Sequence, residues 1–200
     1  MDQQEWWQMV LQVIEIILGA ILAILAIWGD RVRHWCTPPK LKVSLRSRAT
    51  KVEVISEQKT RYLHLVVSNS NPWNHATGVK VFVTKIERTD AGSIDVYDTG
   101  SIPLKWQFSA YGMNPTSFGP PRICNLGCLV EGGVFQLATE FVPASCKTSI
   151  VAGVTMTVHI KAIADNVESP ALILKLSWDG TWSDDDAVMS TSFSVDVIDQ

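Results

Sequence analysis

"VTMTVHIKAIA" (residues 154–164) decides the fold class. Val154, Met156, Val158, Ile160, Ala162 and Ala164 alternate with Thr155, Thr157, His159 and Lys161, the two-residue repeat of a strand with one covered face. The same alternation is predicted at "LKVSLR" (41–46), "RYLHLVVSN" (61–69), "GVKVFVTKIER" (78–88), "VFQLATEF" (134–141), "ALILKLSW" (171–178) and "STSFSVDVI" (190–198), and more weakly at "KVEVISE" (51–57). β-Branched and aromatic residues fill these segments. Between them, "SNSNPWNHATG", "RTDAGS", "NVESP" and "DGTWSDDD" concentrate the residues that accommodate turns. No stretch after residue 40 shows a helical apolar period, and 111–133, with Pro115, Pro120 and Pro121, reads as a long surface excursion. Seven or eight strands punctuated this way predict a mainly β domain, an antiparallel, immunoglobulin-like β-sandwich in the broad sense.

The N-terminal part obeys a different rule. From Met9 to Trp28 the chain is almost wholly apolar. Twenty residues at about 1.5 Å each span roughly 30 Å, the hydrocarbon thickness of a bilayer. A secretory signal would have a basic start and a small-residue cleavage site, whereas "MDQQEWW" is acidic, so a retained single transmembrane helix is expected. Trp6, Trp7, Trp28 and Trp35 bracket the span as interfacial aromatics do. The predicted organisation is residues 1–35 as transmembrane helix and flanks, then 36–200 as the sandwich, with "TPPK" as a stiff exit. No Lys or Arg precedes the span, while Arg31, Arg33, Lys40, Lys42, Arg46, Arg48 and Lys51 follow it without an intervening acid. That asymmetry places the N-terminus outside and the sandwich in the cytoplasm of an inner (plasma) membrane protein.

At 100° per residue, Glu5, Gln8, Gln12, Glu15, Gly19, Ala23, Ala26 and Asp30 fall within an arc of roughly 80°. A carboxylate facing lipid near the midplane costs about 2.5–3.5 kcal/mol, so Glu15 should face protein or water. Gly19, Ala23 and Ala26 allow close backbone approach. A single-pass chain has no second helix of its own, so the partner is another copy or another protein. Either the arc is a packing seam across which Gln12 and Glu15 hydrogen-bond, or several copies form a ring in which Glu5, Gln8, Gln12 and Glu15 line a wet, cation-favouring passage.

The net charge of −3 excludes a globally basic nucleic-acid binder. Arg31, Arg33 and Lys40 fit attraction to anionic lipid, at about 1 kcal/mol per residue. Lys42, Arg46 and Arg48 share one strand face and form either a charge-protected edge or a strip for the phosphates of a nucleotide or oligonucleotide.

Enzyme constellations are thin. There is no phosphate-binding glycine loop, nucleophile elbow or zinc-protease helix. His34, His64, His75 and His159 stand singly, and the bland reading of His64 and His159 is a hydrogen-bonded strand histidine. Cys124, Cys128 and Cys146 lack a fourth ligand and read as buried or free thiols rather than zinc ligands, in a compartment where disulfides are rare. Asp179, Asp184, Asp185 and Asp186 match no calcium-loop spacing and read as a solvated connection between the last two strands. No catalytic residue, metal or cofactor is expected.

A short polar-striped membrane helix joined to a small β-sandwich resembles, in layout, the single-pass membrane effectors of bacterial anti-phage systems, the Hailong type among them. "LKLSWDGTWSDDD" (174–186) is similar to a recurring element of uncharacterised bacterial membrane-anchored sandwich proteins. The resemblance implies an oligomer that breaches the membrane under control of its soluble domain, and it assigns no site residue. The expectation is therefore a homo-oligomer in lipid whose helices form a pore, gated by a sandwich that takes an anionic ligand. The alternative is a membrane-tethered adaptor that docks a partner protein through the sandwich, with the helix as a dimeric anchor.

Overall fold

Alternation holds without interruption along Thr155–Ala164, where every second side chain is buried, and this strand forms the spine of one of the two six-stranded antiparallel sheets. The computed structural model describes residues 3–47, 50–55, 58–71, 74–107, 117–118, 120–165 and 167–199. In chain order these form α1 (Gln3–Cys36), β1 (Leu41–Leu45), β2 (Lys51–Ile55), β3 (Gln58–Asn69), β4 (Ala76–Thr77), β5 (Lys80–Asp90), β6 (Ser93–Pro103) and β7 (Ser117–Phe118). There follow β8 (Arg122–Val130), β9 (Phe135–Leu137), β10 (Ser149–Ile150), β11 (Thr155–Ala164), β12 (Val167–Glu168), β13 (Leu172–Trp178), α2 (Asp186–Ser192) and β14 (Phe193–Asp199).

The first sheet runs β1-β3-β8-β9-β10, with β2 also on β3, and the second runs β14-β13-β11-β5-β6, with β12 on β11. Buried side chains of both sheets belong to one apolar core, and the rings of Phe135 on β9 and Phe193 on β14 meet across it at 5.0 Å. After β6 the chain crosses from the second sheet to the first. Leu104 bridges to Thr139 and Trp106 to Cys124, while Lys105 N–H donates to the Ala138 carbonyl at 2.8 Å. Mainly β, antiparallel and two-layered, the domain has the expected class.

β1 and β2 lie along the same side of β3, as one arm of a hairpin broken at the segment between them. Leu45 pairs with Leu65 and Lys51 with Tyr62, so β3 advances by three residues between the two pairings. The β5–β6 hairpin turns on Ala91 and Gly92, with φ of 44° and 88°, the double positive φ of a tight turn that matches strand twist.

Three expectations are corrected. The predicted surface excursion contains β8, which lies between β3 and β9 and buries Cys124, Leu126 and Leu129. Its period is masked by a bulge: Leu63 pairs with Gly127 but His64 with Asn125, so Leu126 is extra and the inward phase shifts. The remaining excursion residues, 111–116 and 119, lie outside the described residues. The predicted strand 190–198 begins only at Phe193, because 186–192 form the helix α2, capped by the Asp185 carboxylate on Ala187 N–H at 2.7 Å. The predicted strand 134–141 contracts to Phe135–Leu137.

Gly127 sits where β8 and β9 approach most closely. A Cβ there would collide with the Phe135 ring and lie 2.6 Å from the Gln136 carbonyl oxygen, so glycine is the residue that fits.

Candidate functional site

α1 is one continuous helix of 34 residues. Its stretch Trp6–Gly29, 24 residues of mean hydropathy 2.7 with none of it buried, is long and apolar enough to cross a membrane. Steps of three and four residues carry the polar and small arc from Glu5 to Asp30 along this helix. Gln8, Gln12, Glu15, Gly19, Ala23 and Ala26 are all exposed, and a Cβ on Gly19 would meet nothing within 4 Å. Glu5 and Asp30 belong to the same helix, with side chains outside the described residues.

The exit from the helix is held by asparagines. The Asn71 side-chain amide donates to the carbonyls of Thr37 and Pro38, each at 2.9 Å, and the Asn74 amide also donates to Thr37. Asn69 accepts from Lys40 N–H at 2.9 Å and donates to the Asn74 carbonyl. These bonds satisfy backbone groups that no sheet ladder reaches, and they tie "TPPK" to the end of β3. The stretch "SNSNPWN" reads from sequence as a turn cluster, and its clasping role appears only once β3 has brought it beside residues 37–40. Replacing Asn71 and Asn74 together with Ala should free this exit, at about 1–2 kcal/mol of local stability. Faster amide exchange over residues 37–41 checks it, and exchange unchanged from wild type would count against the clasp.

Beside the clasp, a cleft of about 500 Å³ opens between β1 and the 167–172 segment of the opposite sheet. Its lining includes Pro39, Lys40, Lys42, Val43, Glu168 and Ala171. β1 is an edge strand. Lys40 carbonyl accepts from Ser70 N–H at 2.9 Å and Arg46 N–H donates to the His64 carbonyl at 3.0 Å, so the even-numbered positions pair with β3. In an antiparallel ladder the intervening residues, Leu41 and Val43, then turn their N–H and C=O groups to the open edge. Lys42 and Arg46 are both exposed, as alternation predicts, but Arg48 lies outside the described residues. Of the described residues of the basic strip, Lys42 lines the cleft and Arg46 does not, and the companion of Lys42 there is Lys40.

The acidic loop is partnered rather than simply solvated. Arg61, 1% exposed, donates to Asp186 Oδ1 at 2.7 Å, to the carbonyls of Ser183 and Asp184, each at 2.9 Å, and to the Thr50 carbonyl at 3.1 Å. Its guanidinium also lies 5.8 Å from the centre of the Trp182 ring. Lys59 pairs with Asp184 and holds that carboxyl below its usual range, while Asp184 raises Lys59. A lowered acid contributes above its unfolded pKa and fails as pH falls through the folded one. A raised lysine fails only as pH rises through its folded pKa, so this pair is intact across neutrality.

His64 is buried and its Nδ1 lies 3.0 Å from Asn125 Oδ1, the hydrogen-bonded strand histidine that alternation suggests. His159 Nε2 stands 4.0 Å from Glu87. Burial pushes the thiols of Cys124, Cys128 and Cys146 above their ordinary pKa, which disfavours the thiolate that nucleophilic or metal-binding chemistry requires. Among the described residues no three His, Cys, Asp or Glu side chains converge on a point that would hold a metal ion. Compared with known protein families, curated proteins and solved structures, the chain matches none.

Proposed function

We propose that the protein is an oligomeric membrane effector whose striped helices line a passage through the bilayer, controlled by the β-sandwich. The observation that carries this reading is the unbroken polar and small-residue arc on a helix none of whose apolar span is buried. Hydrocarbon on that arc would leave Gln12 and Glu15 without hydrogen bonds, whereas copies packed around a common axis turn them inward. Gly19, Ala23 and Ala26 let the backbones close up below, and the carboxylates of Glu5 and Glu15 make rings that favour cations. The basic flank sets the N-terminus outside and the sandwich in the cytoplasm of a bacterial inner membrane. An anionic nucleotide or oligonucleotide at Lys42, Arg46 and Arg48 supplies the control, and anti-phage defence is the setting in keeping with the layout. The protein is non-enzymatic in this reading.

Full-length protein in planar bilayers tests it. Cation-selective current steps are the expected result, and silence from protein shown to be inserted contradicts the passage.

A second reading, the tethered adaptor, is favoured by apolar residues bared on edge strands: Ile94 and Val96 on β6 are 67% and 55% exposed, and Val54 on β2 is 68% exposed. Edges of that kind accept a partner strand. A crosslinked dimer without conductance would support this reading over the first.

A further inference from the structure

We infer that the cleft between β1 and the 167–172 segment is a binding site for the headgroup of an anionic glycerophospholipid, drawn from the leaflet that the sandwich faces. The inference rests on the membrane reading of α1, and position is the first argument for it. The apolar stretch of the helix ends at Gly29 and the helix itself at Cys36, so at 1.5 Å per residue the exit lies roughly 10 Å beyond the hydrocarbon edge. Headgroups occupy about the first 5–8 Å of that distance. The asparagine clasp fixes residues 37–40 against the sandwich, and Pro39 and Lys40 line the cleft, so its mouth is held at the outer rim of the headgroup layer, and the long Lys40 and Lys42 side chains bridge the remaining distance.

The chemistry of the walls is the second argument. Lys40 and Lys42 supply two ammonium groups for a phosphodiester. The open edge of β1 adds alternating donors and acceptors at Leu41 and Val43, suited to a headgroup that carries both phosphate oxygens and hydroxyls. Glu168, the carboxylate in the lining, is paired with Lys161 at 3.4 Å, which offsets its repulsion of an anion. Val43, Ala171 and Leu172 give the carbon atoms of the headgroup an apolar surface. A volume of about 500 Å³ suits a hydrated headgroup, not a whole lipid, and leaves the glycerol and acyl chains in the bilayer. A lipid seated there would bear on β1, the strand that hangs directly from the membrane helix.

Native mass spectrometry of the full-length protein, released from micelles containing equal phosphatidylglycerol and phosphatidylcholine, reads the site directly. Wild type should retain phosphatidylglycerol over phosphatidylcholine by about thirtyfold, the scale expected from two lysines near a lipid surface. Lys40→Ser with Lys42→Ser should lose the preference. Ala171→Trp, or Ser70→Trp at the same cleft, fills the space with both lysines kept, and should lose it too. No preference in wild type overturns the inference, as does a preference that both filling variants retain, which would mark simple surface attraction. Glycerol phosphate competing as well as the intact lipid also overturns it, because the ligand is then water-soluble. Flotation with phosphatidylcholine vesicles separates the two levels of the argument. Protein that floats but shows no preference fails at the cleft alone, and protein that does not float removes the membrane reading together with the cleft.

Discussion

Gln12→Leu combined with Glu15→Leu is expected to reduce ion leakage through protein-loaded vesicles to the background of empty ones, while insertion is unchanged or improved. Both side chains lie on the polar arc of α1, in the first half of the stretch that can span a bilayer. Each substitution replaces a residue that is unfavourable in hydrocarbon with one that favours it, so the variant helix enters the membrane at least as readily. What disappears is the hydrophilic lining, and a leucine-lined constriction between packed helices excludes water and ions. The fraction of protein floating with the vesicles controls for insertion. Glu15→Gln refines the test, since it keeps the hydrogen bonds and removes the charge: leakage should persist with weaker preference for cations. Undiminished leakage from the double variant would show that ions do not follow the arc.

Arg61→Ala should destabilise the sandwich by about 3–5 kcal/mol, because it leaves several acceptors without donors at about 1–3 kcal/mol each where they are buried. The guanidinium is buried, yet it points toward the acidic loop rather than into the apolar core, and every hydrogen bond it donates ends on Thr50 or on residues 183–186. Truncation strips the donors from three carbonyls, opens space beneath Trp182 and releases α2 from β3. Arg61→Lys should recover little of this, because an ammonium is a point donor and cannot span the same fork of acceptors. Asp186→Asn should cost only about 1 kcal/mol. Its side chain is 71% exposed, and an ion pair with one solvated partner is heavily screened. Thermal melting of the full chain in detergent, followed by the β-sheet circular dichroism band, ranks the three variants. Equal melting of Arg61→Ala and wild type would mean that the loop does not depend on this anchor.

These expectations differ in how far sequence alone reaches them. The arc is legible because helical periodicity is local: position along the chain fixes position around the axis. β11 is legible for the same reason, with its inward side chains at every second residue. β8 is not, because Leu126 forms a bulge and the burial phase slips within a nine-residue strand, leaving no sustained alternation to read. α2, at seven residues, is too short to display a period, and its place depends on Asp185 as cap and Arg61 as anchor, the latter from a different sheet. The basic strip was readable as far as Lys42 and Arg46 on one exposed face. That Lys42 has Lys40 and the 167–172 segment for company depends on how the two sheets stack, which no window of sequence contains. The asparagine clasp is hidden in the same way, since Asn71 and Thr37 meet only because β1 and β3 pair antiparallel.

Mass determination of the intact protein in mild detergent, with detergent contribution subtracted, goes most directly to the idea that copies of α1 shield one another's polar arc. A discrete assembly of several chains that dissociates when Gln12 and Glu15 are both changed to Leu is the expected result. A stable monomer at every concentration, from protein that still floats with lipid vesicles, would contradict it.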